Sequence, residues 1–458
     1  MSRGLVTGAL ESLVERQMRQ DRVPGLAVGL IAEGRLVYSR GFGITSEEDP
    51  LPVTADTVFR IGSATKPFTA TALMRLAEQR VLDLDAPIAE IIAGLRLRDA
   101  GAADVITLRM LLSHRSGMHN GPATYGGDGS QSLAELVAGL RQYPMVAAPD
   151  TVTSYSNLGF CLAGHLAERA AGAPFPSLIK ELVTGPLGLD RTVFDPSVAM
   201  TYRLAQPHRP ADANRLKVQH GASDNPCFYP GAYLFSTVRD VARFAIANLC
   251  GAGTLLHSDL VSAMQRRHSD WCLAGGIGYG LGLYLDSYRR WPRVGHDGNF
   301  LSFGCKYAFV PQLQAGAILM YNQYDSFRLG REIVFEALYA ALFDMIDPPV
   351  RGAVEPPADD GRVAERLAAA CGLYRGTGLE EARLDRDGDQ AVLSFYDHTV
   401  RLTPVSSNIY LRTAGSDHEQ AWHHIPYNIS YAVSLGLPDE PGYIMINGRP
   451  YQRLREVA

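Results

Sequence analysis

A chain of 458 residues exceeds the roughly 250–300 residues at which a single hydrophobic core stops growing, so more than one folded unit is expected. Hydrophobic residues at 46% and charged residues at 20% exclude global disorder. The formal net charge of −5 gives no basic face for nucleic acid, and no apolar run approaches the roughly 18 residues of a membrane span.

The N-terminus, Met1-Ser2-Arg3-Gly4-Leu5 with Glu11 and Glu15 soon after, has no apolar signal core, which predicts a cytoplasmic protein. Residues 5–20 read as an amphipathic helix. Leu26–Leu30 and Arg35–Tyr38 flank Glu33-Gly34 as a hairpin. Phe59-Arg60-Ile61-Gly62 leads into Ser63, which opens a helix to about Arg80 with Phe68, Leu73, Leu76 and Ala77 on one face. Further helices are predicted at Leu108–Leu112, Ser132–Arg141, Leu158–Ala171, Phe175–Leu182 and Thr237–Leu249. Strands follow at Tyr279–Tyr284, Phe303–Phe309 and Ala315–Tyr321, then a helix at Leu329–Leu342.

Strands at both ends of residues 1–346 with helices between (an insertion over about 81–270) predict an α+β catalytic unit with a helical subdomain. Residues 347–362, rich in Pro, Asp and Glu, read as a linker. After a short helix (Val363–Cys371), residues 363–458 alternate in short strands: Ala382–Leu384, Gln390–Phe395, Thr399–Leu402, Asn408–Leu411, Gln420–His424 and Tyr443–Ile446. Turns such as Asp387-Gly388 and Asn447-Gly448 separate them, the pattern of a small antiparallel β-barrel or sandwich.

Only four lysines occur, Lys66, Lys180, Lys217 and Lys306, so each stands out against an arginine-rich background. Ser63-Ala64-Thr65-Lys66 places hydroxyl and amine on one side of a helix start. A serine needs an adjacent base, and a desolvated lysine can serve; the helix N-terminus favours a developing oxyanion. Ser177-Leu178-Ile179-Lys180 has the same spacing and reads as solvated surface. Tyr155-Ser156-Asn157 follows about 90 residues after Ser63, and His296-Asp297-Gly298 lies on a predicted strand. His119-Asn120-Gly121 also fits H-x-G but precedes the tyrosine motif in a loop. Six cysteines form no C-x-x-C pair and no Cys/His cluster of zinc spacing; they read as small buried thiols.

The ordered set S-x-x-K, Y-x-N, H-x-G resembles the serine β-lactamase-like and penicillin-binding-protein superfamily, in the branch of class C β-lactamases, D-alanyl-D-alanine peptidases, D-aminopeptidases and esterases. Leu111-Leu112-Ser113-His114-Arg115-Ser116-Gly117, Pro186-Leu187-Gly188-Leu189 and Phe235-Ser236-Thr237 with Asp240 support it. Class C β-lactamases carry Lys-Thr-Gly where this chain has His296-Asp297-Gly298, which turns the resemblance toward peptidases and esterases. It implies that Ser63 attacks a carbonyl, that Lys66 and Tyr155 share the proton work (either can be the primary base), and that Asn157 holds Lys66 and the substrate. It further implies that His296 orients Tyr155 or touches substrate, and that the backbone around Gly298 and Asn299, with Ser63, forms the oxyanion hole. Asp297 reads as a turn residue. No metal or organic cofactor is implied.

Residues 363–458 resemble the lipocalin-like barrel of D-aminopeptidase relatives and of stand-alone penicillin-binding-protein-type thioesterases. That resemblance implies a peptide or peptidyl-thioester substrate, free or on a carrier protein, with Arg449 reaching a carboxylate or carbonyl from the barrel. A thioesterase-cyclase and a D-specific aminopeptidase, amidase or esterase use the same residues and differ in what captures the acyl-enzyme.

Overall fold

The computed structural model describes residues 7–121, 131–212, 215–221, 224–249, 255–272, 277–288, 290–323, 327–346, 363–376, 381–388, 390–395, 398–406, 409–413, 429–434, 443–446 and 449–454. Its centre is an eight-stranded sheet. Two strands come from the N-terminal end, β1 (Gly25–Ala32) and β2 (Arg35–Gly43). Six come from far along the chain: β3 (Ser269–Cys272), β4 (Ile277–Tyr279), β5 (Tyr284–Tyr288), β6 (Trp291–Phe300), β7 (Phe303–Val310) and β8 (Ala315–Tyr321). The order is β2-β1-β8-β7-β6-β5-β4-β3, every pairing antiparallel. β1 and β8 pair from Leu26↔Tyr321 to Ile31↔Gly316 and are buried along their whole length, because helices cover both faces.

On one face lie α1 (Thr7–Asp21) and a long C-terminal helix, residues Arg328–Ile346, closing a core of Val14, Leu26, Val28, Leu319, Phe335 and Leu338. On the other lies the larger core with α2 (Lys66–Glu78), α3 (Leu108–Leu112), α4 (Asn157–Ala171) and α5 (Val238–Leu249); the long helix is α6. This is the predicted α+β arrangement of a large antiparallel sheet and helices.

Three local expectations are corrected. Tyr279–Tyr284 is not a strand: Tyr279 ends β4, Tyr284 begins β5, and residues 280–283 turn between them. Gly282 turns with φ +76° and donates its N–H to Leu112 O, and Gly280 N–H bonds Leu283 O, so the chain folds back between them. α2 has no single apolar face: every residue from Lys66 to Met74 is buried, because sheet and helices enclose it. The helix at Phe175 leaves α-geometry after Ile179 for a π-helical turn, Lys180–Thr184. As expected, Ser177 and Lys180 are exposed.

After the helix Val363–Ala370, eight strands run in order: β9 (Gly372–Gly376), β10 (Glu381–Asp387), β11 (Gln390–Phe395), β12 (His398–Ser406), β13 (Ile409–Thr413), β14 (Ile429–Ser434), β15 (Tyr443–Ile446) and β16 (Arg449–Arg453). Each pairs with the next, and β16 returns to β9 through Tyr374↔Arg453, closing the ring. Its core is its own: Leu367, Tyr374, Leu384, Leu393, Leu402 and Ile444. β9, β14 and β16 fall outside the predicted strands, although β14 alternates Ile429, Tyr431 and Val433 with Ser430, Ala432 and Ser434. The strand predicted at Gln420–His424 lies outside the described residues.

Candidate active site

Ser63 sits on a single turn of 3-10 helix, Gly62–Thr65, between a two-residue strand (Phe59–Arg60) and α2. Thr65 Oγ1 ties the turn by donating to Gly62 O at 2.7 Å. Two glycines bring the turn against β6. A Cβ on Gly62, whose φ is +55°, would lie 2.5 Å from Asn299 O and 2.7 Å from Asn299 N. A Cβ on Gly298 would lie 2.6 Å from the backbone nitrogens of both Ser63 and Ala64. Only side-chain-free residues allow that approach, and it sets the Asn299 backbone beside the Ser63 N–H. The Asn299 side chain itself is exposed.

Lys66 starts α2 one turn beyond Ser63 and is fully buried. Its Nζ has three oxygen neighbours: Ser63 Oγ at 3.2 Å, Asn157 Oδ1 at 2.5 Å and Gly231 O at 2.7 Å. The rings of Tyr155 and Phe160 lie beside it, centroids 4.7 and 5.3 Å away. Burial pulls the lysine down to about 7, against a weaker upward pull from Cys161 and Asp297. An amine at that value is substantially neutral at neutral pH. The neutral amine has two N–H groups and one lone pair. Two of its neighbours are carbonyl oxygens that only accept, so both N–H bonds point at them and the lone pair is left for the Ser63 hydroxyl.

Asn157 is the first residue of α4, capped by Ser156, whose Oγ accepts from Gly159 N–H at 2.8 Å. Its amide is oriented from behind: Asn120 Oδ1 accepts from both Asn157 N and Nδ2, each at 3.1 Å. That turns Oδ1 toward Lys66. Asn120 belongs to the loop His119-Asn120-Gly121, and its role follows from a contact 37 residues apart in the chain that no spacing encodes.

His296 lies on β6, buried. Its Nδ1 meets the Asp297 carbonyl and so carries the proton; Nε2 is left to accept from Tyr279 Oη at 2.9 Å. Tyr279 holds its proton firmly, first through burial and then through the neighbouring Tyr155, Tyr307 and Asp297. Tyr279 thus joins His296 to the cluster, a residue that sequence reasoning placed only on a strand. Asp297 is corrected: it is no turn residue but sits mid-strand opposite Lys306, 4.0 Å from the buried Arg331 of α6. The arginine anchors the back of the strand whose front carries His296. Arg449 begins β16, and its side chain lies outside the described residues. The cysteines Cys161, Cys227 and Cys305 are buried free thiols.

The arrangement is therefore a half-buried serine with a buried, weakly basic lysine behind it and a tyrosine beside the lysine. Such a set can form and resolve an acyl ester. Among the described residues no cluster of metal-ligand type occurs and no helix is long and apolar enough to cross a membrane.

The family model described as Beta-lactamase matches residues 10–341. The chain is 29% identical over 297 residues to Penicillin-binding protein 4 of Amycolatopsis lactamdurans, covering 61% of this chain and 75% of that protein. It is 26% identical over 344 residues to Unguisins hydrolase ungD' of Aspergillus campestris, covering 71% of this chain and 64% of the relative. Among solved structures, SurE superposes with a TM-score of 0.76 at 24% identity, over 98% of both chains. That last likeness is one of fold and includes the eight-stranded ring.

Proposed function

The chain belongs to the Beta-lactamase family, and on that premise we propose that it is an acyl-serine enzyme that closes peptidyl thioesters or esters ending in a D-configured residue head to tail. The observation that carries the acyl-serine part is the Lys66 amine, buried, held by two carbonyl oxygens and facing Ser63 Oγ at 3.2 Å.

Ser63 Oγ attacks the acyl carbonyl while its proton passes to the neutral Lys66 Nζ. The oxyanion is met by the N–H groups of Ser63 and Asn299. Tyr155, beside the Lys66 ammonium so formed, carries a proton to the departing sulfur or oxygen, and the C–S or C–O bond breaks to leave the acyl ester. The peptide's own amino terminus then attacks that ester, its proton returns through Tyr155 and Lys66, and Ser63 leaves as the free hydroxyl. His296 with Tyr279 walls the tyrosine, and Arg449 binds a carbonyl or carboxylate of the peptide.

Support for a D-configured substrate is that SurE, whose fold likeness spans the whole chain, has been solved with D-Leu. The ring of β9–β16 resembles the lipocalin-like barrel of penicillin-binding-protein-type thioesterases, and this addition beyond the family's catalytic unit favours a large acyl donor. A second reading, capture by water, is favoured by the Aspergillus relative named as a hydrolase of unguisins.

Mass spectrometry of products from two linear peptidyl thioesters, one ending in a D-residue and one in its L-form, tests the proposal. A product one water lighter than the free acid, from the D-form alone, is expected. Free acid alone would overturn the cyclase reading in favour of the hydrolase, and equal use of both forms would overturn the D-selectivity.

A further inference from the structure

His114 is fully buried and adopts φ +58°, a left-handed conformation uncommon outside glycine. It lies in the loop after α3 and makes three contacts with one short segment. Its carbonyl oxygen accepts from Ser154 N–H at 2.7 Å. Its ring Nδ1 accepts from Ser156 N–H at 3.1 Å. Its ring lies against that of Tyr155, with centroids 4.2 Å apart, and against Tyr279 at 4.6 Å. The left-handed turn lets carbonyl and ring reach the same segment, so that the residues immediately before and after Tyr155 are both bonded to one histidine.

The rest of the loop continues the clamp. Ser154 Oγ donates to Met118 O and Ser156 Oγ to His119 O. The histidine's acceptor role fixes its chemistry: a ring whose Nδ1 receives an N–H is unprotonated there, and a doubly protonated ring would break that bond. Burial, then the nearby Lys66 and His296, hold His114 well below the usual histidine range, which keeps it in the accepting form.

We propose that His114 is a positioning residue for Tyr155, holding the tyrosine backbone from both sides and its ring from one face while remaining neutral throughout turnover. This rests on the reading of Tyr155 as the proton carrier.

The test is the second-order rate at which Ser63 is labelled by the acyl group of an unactivated peptidyl alkyl ester, whose departing alkoxide needs the proton that Tyr155 carries, in the full-length protein, followed from pH 5.5 to 9. His114→Gly keeps the backbone conformation but removes the ring. His114→Asn also tolerates positive φ and keeps an acceptor near the place of Nδ1. The expected result is a roughly 100-fold slower rate for His114→Gly and recovery to within about fivefold of wild type for His114→Asn, with the shape of the pH profile unchanged. In a Tyr155→Phe background the same His114→Gly change costs less than about threefold, because the group it positions is gone. A folded His114→Asn protein as slow as His114→Gly would overturn the proposal. So would an equal cost in both backgrounds, which marks a purely structural role, or loss of the acid limb in His114→Asn, which marks His114 as a proton carrier itself. If Tyr155→Phe alone labels at the wild-type rate, the proton-carrier reading fails first and the positioning role falls with it.

Discussion

Asn157 Oδ1 lies 2.5 Å from Lys66 Nζ, so a neutral amide oxygen meets the buried amine where a carboxylate would have held it charged. Asn120 enforces the orientation by taking the Asn157 Nδ2 hydrogen. The reactivity of Ser63 follows from this choice of partner, and so do the first two tests.

The acid limb of Ser63 acylation is expected at about pH 7. Below that value Lys66 is protonated and has no lone pair, and the rate falls tenfold per pH unit; above it the rate is level until other groups titrate. Lys66→Ala should lower acylation by roughly 100- to 10,000-fold and abolish the limb. The same depression makes stability pH-dependent. The unfolded lysine keeps its proton up to its ordinary value of 10.5, so between about 7 and 10.5 the unfolded state binds more protons and stability rises with pH. The gap in Tm between wild type and Lys66→Met should therefore move in favour of wild type from pH 6.5 to 9. A gap independent of pH would show that the folded lysine is not depressed.

Asn157→Asp places a carboxylate against Lys66 and should raise the lysine's affinity for its proton. The acid limb should move up by more than one pH unit. The rate at pH 7 should fall at least about fivefold and partly recover at pH 9. An unmoved limb in a folded variant would show that Asn157 does not set the amine's basicity.

Tyr155→Phe removes one hydroxyl from a half-buried ring and leaves its packing on His114. Turnover should fall by roughly 100- to 10,000-fold, with KM within about threefold and Tm unchanged within a few degrees. Loss confined to KM would make Tyr155 a binding residue.

Gly298→Ala forces a Cβ to 2.6 Å from the Ser63 and Ala64 nitrogens. The strand must retreat from the nucleophile turn, so acylation should fall at least 100-fold, with an unfolding cost of about 1–3 kcal/mol in urea titration. Near-normal acylation would mean that β6 does not hold the oxyanion.

Much of the site was legible because its parts are local. Ser63 and Lys66 are three residues apart on a helix start, Asn157 follows its own cap, and His296 lies in a strand bounded by turn residues. What was not legible is what arrives from elsewhere: Asn120 behind Asn157, His114 around Tyr155, Gly231 O on Lys66. Those contacts depend on loops whose residue types carry no periodic signal. Asp before Gly favours turns, whereas the antiparallel pairing of β6 with β7, which sets Asp297 opposite Lys306, keeps it in a strand. The strand expected at Tyr279–Tyr284 failed for the related reason that a φ of +76° at Gly282 is set by the neighbouring α2 and α3. The ring of β9–β16 was partly readable, and β14, bordered by no clear turn pair, was not.

The close approach of the nucleophile turn to β6, Gly62 against Asn299 and Gly298 against Ser63 and Ala64, also dictates an order of events during synthesis. β1 needs β8 on its open edge, and the nucleophile turn needs β6, yet those strands are made some 230 to 290 residues later. A growing chain stopped before Trp291 already holds Ser63, Lys66, Tyr155 and Asn157, and it presents β1 to the cell as an uncovered apolar edge. The growing chain can complete its nucleophile turn once β6 is made, but the edge of β1 is covered only when β8 follows, so the last strand of the sheet to be synthesised is the one that closes it.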